Sequence, residues 1–140
     1  MNQGDLPAAM IDFNEALRRD PRSAESLMAR ASVYADQGDH RRAIADLDQT
    51  IALSPRLSAA VGNRGLEYAR LGDHRRAISD FDQAIALDPR DTIDLVNRGL
   101  SYEHLGDTAH AIADYEAAYG IDPMLFTARA AAQRLRRAAG

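Results

Sequence analysis

Pairs of acidic residues two positions apart are the first feature that could carry chemistry. They occur at Asp46/Asp48, Asp80/Asp82 and Asp114/Glu116. Two neighbouring carboxylates could act as acid and base or bind a metal ion, but on a helix residues two apart point in different directions and do not converge on one atom. Four residues before each pair stands Arg42, Arg76 or His110. This spacing predicts exposed ion pairs on a helix surface rather than a catalytic site.

A second candidate is the segment "GDHRRAI", which occurs at Gly38–Ile44 and again at Gly72–Ile78. A turn followed by His-Arg-Arg could bind an anion at the start of a helix, or it could mark the boundary of a repeated unit. The four histidines form no metal-binding motif, and the chain contains no phosphate-binding loop, no serine-centred elbow and no cysteine. We therefore expect no enzymatic activity and no cofactor or metal.

The overall charge argues against two classes of partner. All 17 cationic residues are arginine, and the net charge of −4 lacks the basic footprint of a nucleic-acid-binding protein. No apolar run approaches the roughly 18 residues of a membrane span, and the first residues do not form a signal peptide. We expect a cytoplasmic protein that binds neither nucleic acid nor a membrane.

The Gly-Asp pair recurs through the whole chain at one constant spacing. It begins at Gly4, Gly38, Gly72 and Gly106. Alanine, an aliphatic residue, an aromatic residue or leucine, and a proline follow it at fixed distances; the alanines are Ala9, Ala43, Ala77 and Ala111, and the prolines are Pro21, Pro55, Pro89 and Pro123. Four copies in the same register indicate an array of repeated units.

Each unit has the pattern of two helices joined by a short turn, such as Ser58–Leu71 and His74–Leu87. Gly72 suits the left-handed residue that ends one helix, and Asp73 suits the N-cap of the next. The prolines end each unit because they cannot continue a helix. Small residues are expected where two helices cross closely, at Ala31, Gly65 and Gly99 in the first helices and at Ala43, Ala77 and Ala111 in the second.

This pattern and its period resemble the tetratricopeptide repeat. The resemblance implies an all-α, right-handed solenoid of antiparallel helix pairs, with repeats at 24–57, 58–91 and 92–125. A partial repeat would span 1–23, and a C-terminal capping helix would span 126–140. The chain departs from the family where leucine is common, carrying Arg30, Arg64 and Arg98 instead. The RNA-binding pentatricopeptide family fits less well, because its period is longer and this chain is acidic.

The two ends of the array carry different expectations. The segment Asp5–Arg19 would be a second helix without a complete partner, so its apolar side would be partly uncovered at Leu6, Met10, Phe13 and Leu17. A second copy could cover it as a homodimer, or the chain could be a fragment of a longer array or of an enzyme. The segment Leu125–Ala139 has one apolar stripe and four arginines, as a solvated cap requires. These arginines are Arg129, Arg134, Arg136 and Arg137.

The family resemblance also implies a concave groove, lined by the first helices, that binds a peptide. The predicted groove residues are Met28, Ser32, Asn63, Leu66, Arg70, Val96, Asn97, Leu100 and Glu103. Asn63 and Asn97 occupy the same position in successive repeats and could pair with a peptide backbone, although they could instead bond locally to helix ends or to neighbouring repeats. The carboxylate clamp that some family members use would fall on Met28, Ser32, Asn63, Ile93 and Asn97, where only Asn63 matches.

Two functions therefore follow from the sequence. The first is a scaffold that binds an unidentified protein or peptide in the groove. The second is self-association through the N-terminal helix. The repeat pattern does not explain the His-Arg-Arg of the "GDHRRAI" segments. We expect a small basic edge formed by His40, Arg41, His74 and Arg75. Arg42 and Arg76 should pair with the aspartates one turn later.

Overall fold

The computed structural model describes residues 5–140, and the side chains from Ala8 onward. This part of the chain forms eight α-helices and no strand. They are α1 (Asp5–Arg19), α2 (Ala24–Asp36), α3 (His40–Leu53), α4 (Ser58–Arg70), α5 (His74–Leu87), α6 (Thr92–His104), α7 (Thr108–Ile121) and α8 (Phe126–Ala139). Each helix packs against its neighbours in the chain, and α4 also contacts α6. The first helices α2, α4 and α6 therefore lie side by side, as a solenoid requires.

The Gly-Asp pairs form the turns within the helix pairs, as the sequence predicts. Gly38, Gly72 and Gly106 have φ angles of 78°, 82° and 78°, a left-handed conformation that glycine adopts at no steric cost. The aspartate that follows each glycine caps the next helix; for example, the Asp73 side chain accepts a hydrogen bond from the Arg76 N–H. The turn prediction is confirmed, and the same geometry shows that these pairs are structural.

Two helix boundaries differ by one residue from the sequence prediction. Leu71 is the C-cap of α4 and lies outside the helix, because the left-handed Gly72 follows it directly. Leu125 is the N-cap of α8 and has a non-helical ψ of 73°. Both leucines keep a cap position from which their backbone still bonds to the adjacent helix.

Small residues allow the two helices of a pair to approach closely. A Cβ atom added to Gly65 would lie 2.9 Å from Cε1 of Phe81, and one added to Gly99 would lie 2.8 Å from Cε1 of Tyr115. Ala31, which occupies the equivalent place in α2, is 2% exposed, and Ala77 is fully buried. The prediction of small residues at these crossings is therefore confirmed.

An arginine in each first helix joins three helices. Arg64 of α4 binds Asp80 of α5 with two parallel hydrogen bonds, Nε to Oδ2 at 2.9 Å and Nη2 to Oδ1 at 2.8 Å. Its Nη1 also donates to Oδ1 of Asp48 in the preceding helix α3, at 2.9 Å. This arrangement holds one helix pair together and ties it to the pair before.

The same arrangement repeats along the array. Arg30 binds Asp46 and Asn14, and Arg98 binds Asp114 and Asp82, with N–O distances between 2.7 and 2.9 Å. We call the three arginines with these partners the arginine ladder. The expectation of exposed ion pairs within one helix is therefore wrong, because the first aspartate of each pair is buried and bound by an arginine of the preceding helix. Arg42 and Arg76 instead pair with the aspartates that cap their own helices, Asp39 and Asp73, with 3.5 Å between Nε and Oδ2 in both pairs.

The terminal helices agree only in part with the sequence expectations. On α1, Leu17 is buried and Met10 and Phe13 are half-buried, whereas Ile11, which is not among the residues predicted to be uncovered, is 67% exposed. The side chain of Leu6 lies outside the described residues. On α8, Ala128, Ala132 and Leu135 are buried, as expected of a cap.

Two arginines of α8, which were expected only to face solvent, also form ion pairs with the preceding helices. Arg134 binds Glu103 of α6 at 2.8 Å, and Arg136 binds Glu116 of α7 at 2.6 Å. The capping helix is therefore attached to the array by charge as well as by its apolar stripe.

Candidate functional site

Three depressions lie between successive first helices and α8, on the face where the sequence analysis places the groove. The first depression lies between α2 and α4, the second between α4 and α6, and the third between α6 and α8. Their volumes are about 170, 170 and 190 Å³. Each is large enough for a side chain and too small for a drug-sized ligand, which typically fills about 300–1,000 Å³. A row of such depressions suits an extended chain whose side chains enter one after another.

Seven of the nine predicted groove residues line these depressions. Ser32, Asn63, Leu66 and Arg70 line the first; Leu66, Arg70, Asn97 and Leu100 line the second; Val96 and Asn97 line the third. The other two residues do not line them. Met28 packs against the core between α2 and α3, and Glu103 is bound to Arg134.

The two asparagines of the predicted groove both line these depressions, Asn63 the first and Asn97 the second and third. Asn63 is exposed. Among the described residues, neither side-chain amide makes a hydrogen bond, so local bonding to helix ends does not engage them. Both amides are therefore free to donate to and accept from a ligand.

The first depression contains carboxylates, but one of them is already engaged. Glu67 is 3% exposed, and its Oε2 lies 2.5 Å from Nδ1 of His40. Its Oε1 accepts a hydrogen bond from Arg70 at 2.8 Å. Asp36 is exposed at the rim, which leaves it as the carboxylate of this depression available to a ligand.

The second depression has a different charge and includes residues that the sequence analysis missed. His74, His104 and Ser101 line it together with Arg70, Asn97, Leu66 and Leu100. The rings of His74 and His104 are stacked, with centroids 4.4 Å apart and an interplanar angle of 5°. The sequence holds one signal for this difference. Glu67 and Ser101 occupy the same position in successive repeats, so the carboxylate of the first depression is replaced by a hydroxyl in the second.

The prediction of a small basic edge is wrong, because its four residues lie on two different surfaces. His40 faces Glu67 and His74 faces Ser101, each on the next first helix. Arg41 and Arg75 instead line two outer depressions of about 320 and 350 Å³ beside Tyr68 and Tyr102. No single basic patch remains among these four described residues.

A buried carboxylate without a cation lies at the start of α6. Asp94 is 6% exposed and fills the space beside Gly62, where a Cβ atom would collide with its Oδ1. Burial, followed by the nearby charges of Asp91 and Asp88, raises the pKa of Asp94 to about 6.

Among residues 5–140, no group of three or more potential ligand side chains is placed to hold a metal ion. None of the described helices is long and apolar enough to cross a membrane.

Comparison with known proteins places this geometry in context. Family models described as tetratricopeptide repeat match residues 1–58 and 68–138. No curated protein sequence matches the chain. Among solved structures, MamA is 25% identical and superposes with a TM-score of 0.93 over 99% of this chain and 81% of its own.

Two similar structures contain a bound peptide. The first tetratricopeptide domain of Spaghetti (RPAP3), bound to the HSP90 peptide SRMEEVD, is 27% identical with a TM-score of 0.81 and covers 86% of this chain and 95% of its own. The second such domain of human RPAP3, in complex with the HSP70 peptide SGPTIEEVD, is 25% identical with a TM-score of 0.76 and covers 81% and 94%. These matches confirm the predicted all-α solenoid.

Proposed function

Since the chain belongs to the tetratricopeptide repeat family, we propose that it is a non-catalytic scaffold that binds a peptide or protein segment along the three depressions. In this proposal the binding units are residues 24–57, 58–91 and 92–125. The segment lies extended across the first helices, its apolar side chains enter the depressions, and its backbone bonds to the protein.

The observation that carries the proposal is the position of the two free amides. Asn63 lines the first depression and Asn97 lines the second and third. An amide offers both a donor and an acceptor, so it can pair with a peptide backbone whatever the side chains. Leu66 and Leu100 lie beside them, and Leu100 is 46% exposed, so each polar contact has an apolar surface next to it.

Two similar structures contain a bound peptide, which supports peptide binding by this fold, but the residues here point to a different ligand. Members of the family that hold a C-terminal carboxylate use a clamp of Lys, Asn and Arg residues at positions that correspond here to Met28, Ser32, Asn63, Ile93 and Asn97, of which only Asn63 matches. None of these is cationic, and Ile93 is 68% exposed at the rim of the third depression. We propose a segment anchored by apolar side chains and bound through its backbone.

The test replaces both amides in one variant, Asn63→Ala with Asn97→Ala. A pull-down with the intact chain supplies the partner, and calorimetry measures its affinity for both proteins. Loss of two hydrogen bonds of about 1 kcal/mol each should weaken binding by about tenfold or more. The matched control is Gln49→Ala with Gln83→Ala, because these amides are exposed, equivalent in successive repeats, and on second helices. Equal binding by the asparagine variant and the control would contradict the groove proposal.

A second candidate function is self-association through α1, which Ile11 favours because it is 67% exposed on this helix. Half-buried Met10 and Phe13 extend the apolar surface. Light scattering over a range of concentrations should show a dimer that Ile11→Asp dissociates. A monomer at every concentration would remove this candidate.

A further inference from the structure

The first two depressions are built from equivalent positions, yet their charges differ. A shift by one repeat carries Asp36 to Arg70, Arg70 to His104, and Glu67 to Ser101. The first depression therefore contains two carboxylates, whereas only neutral or basic side chains line the second. The repeat does not require this difference, because the helices and turns are the same in both places.

The two imidazoles of the second depression are held in one place. His74 begins α5 and His104 ends α6, and their rings stack at 4.4 Å. Nδ1 of His74 lies 3.3 Å from Oγ of Ser101, where the equivalent His40 meets the carboxylate of Glu67. Replacement of that carboxylate by a hydroxyl leaves the second histidine without an anionic partner on α6.

Burial, and after it the neighbouring imidazole, favours the neutral form of His74. Burial lowers the pKa of His74, and the neighbouring His104 lowers it further, while Asp73 on the same helix acts in the opposite direction. From α4, the guanidinium of Arg70 faces the pocket, bound at 2.8 Å to Glu67 on its other side. An anion that enters would meet Arg70 and the amide of Asn97, and it would also stabilise a protonated imidazole.

We propose that Arg70, His74 and His104 form a binding site for an acidic side chain of the segment in the groove, and that a proton is taken up when this side chain binds. The inference rests on the proposed peptide-binding function and deepens it. The proton comes from solvent and goes to an imidazole nitrogen of the stacked pair, which then pairs with the carboxylate. Because the bound state holds one proton more than the free state, affinity rises as the pH falls toward the pKa of His74 in the free protein.

The experiment uses a library of random peptides displayed with their C-termini fused to the carrier, so that every selected carboxylate belongs to a side chain. The intact chain is used for selection at about pH 6 and at about pH 8. We expect Asp or Glu fixed at one position in the pool selected at pH 6. We then measure the affinity for a synthetic, C-terminally amidated copy of the selected peptide. As the pH rises from about 6 to about 8, this affinity should fall by up to about tenfold for each pH unit, since one proton is linked to binding. The Gln analogue of the peptide should show no such dependence.

Two variants separate this inference from the groove proposal. His74→Gln with His104→Gln should abolish the pH dependence and weaken the acidic preference, part of which Arg70 retains. His110→Gln is the matched control, because its ring lies on an exposed turn of α7 beside Asp107 and should change neither. Circular dichroism verifies that both variants are folded. Selected peptides that need Asn63 and Asn97 but contain no acidic residue would overturn the inference and leave the groove proposal standing. Failure to select any peptide that needs these asparagines would overturn both.

Discussion

Replacing Arg64 by glutamine should destabilise the chain more than the loss of any exposed charge. Arg64 is the middle member of the arginine ladder and joins α4 to Asp80 of α5 and to Asp48 of α3. Its hydrogen bond to Asp80, the largest effect, raises the pKa of Arg64 above its usual value, so the guanidinium is charged at every pH at which the protein folds. Arg64→Gln therefore removes a permanent charge while keeping a polar side chain of moderate length.

The magnitude follows from the exposure of the two aspartates. Asp80 is 5% exposed, and removing one partner of a buried ion pair costs about 3–5 kcal/mol because the other charge is left uncompensated. The side chain of Arg64 is 22% exposed, so water can partly replace it, and we expect a loss of about 2–3 kcal/mol. The side chain of Asp48 is 52% exposed, and its contact should contribute less than about 1 kcal/mol.

Urea unfolding followed by circular dichroism measures these differences. The matched control is Asp48→Asn, which removes the charge from the outer partner of the same guanidinium. The double variant Arg64→Gln with Asp80→Asn should recover part of the loss, because two amides can hydrogen-bond and no buried charge remains. If Arg64→Gln unfolds at the same urea concentration as Asp48→Asn, the ladder does not stabilise the interface between repeats and the reasoning is refuted.

Two further predictions concern buried positions. Ala77→Leu should cost about 1–3 kcal/mol by overpacking a fully buried crossing, whereas Ala86→Leu on the exposed side of the same helix should not, and thermal melts compare them. Asp94→Asn should stabilise the chain by about 1–3 kcal/mol above pH 7, because a carboxyl whose pKa rises from 3.8 to about 6 on folding opposes folding when it is ionised. The gain should shrink as the pH falls from about 6 toward 4, where the native state binds the proton, and a gain that does not change with pH would refute this assignment.

Local rules predicted the framework of the fold well, because the framework is locally encoded. The glycine and aspartate of each turn and the proline between units each act within a few residues of their own position. Gly72 needs no distant partner to adopt a positive φ, and Asp73 caps the helix that begins at the next residue. The two boundary errors, at Leu71 and Leu125, are of one residue, where a helix gives way to its cap.

The same local rules failed for the charged residues. Helix spacing pairs Asp80 with Arg76 because it considers neighbours on one helix, but the partner of Asp80 is Arg64 on the other helix of the pair. The same separation between arginine and aspartate occurs in all three copies, so the repeat itself contained the signal. A search for distances conserved between copies would have found the ladder without a structure.

The candidate groove shows the same division between what is local and what is not. The position of Asn97 on the groove face follows from helix periodicity and the family resemblance, so it could be predicted. The stacking of His74 on His104 joins the start of α5 to the end of α6, and no rule for a single helix or turn brings those two residues together. Depressions between helices belong to neither helix alone, and their chemistry depends on the angle at which repeats stack.

The end of the arginine ladder limits how copies of the chain could associate. In the register of the repeat, α8 carries Ala132 where α6 has Arg98, and Gln133 where α6 has Gly99. If α1 of a second copy packed on α8 as α7 packs on α6, Phe13 would meet Gln133 at a crossing that leaves no room for a Cβ atom in α6. Asp12, equivalent to Asp114, would find no guanidinium at position 132. We therefore expect that, if copies associate through α1, they do not pack α1 on α8 in this geometry.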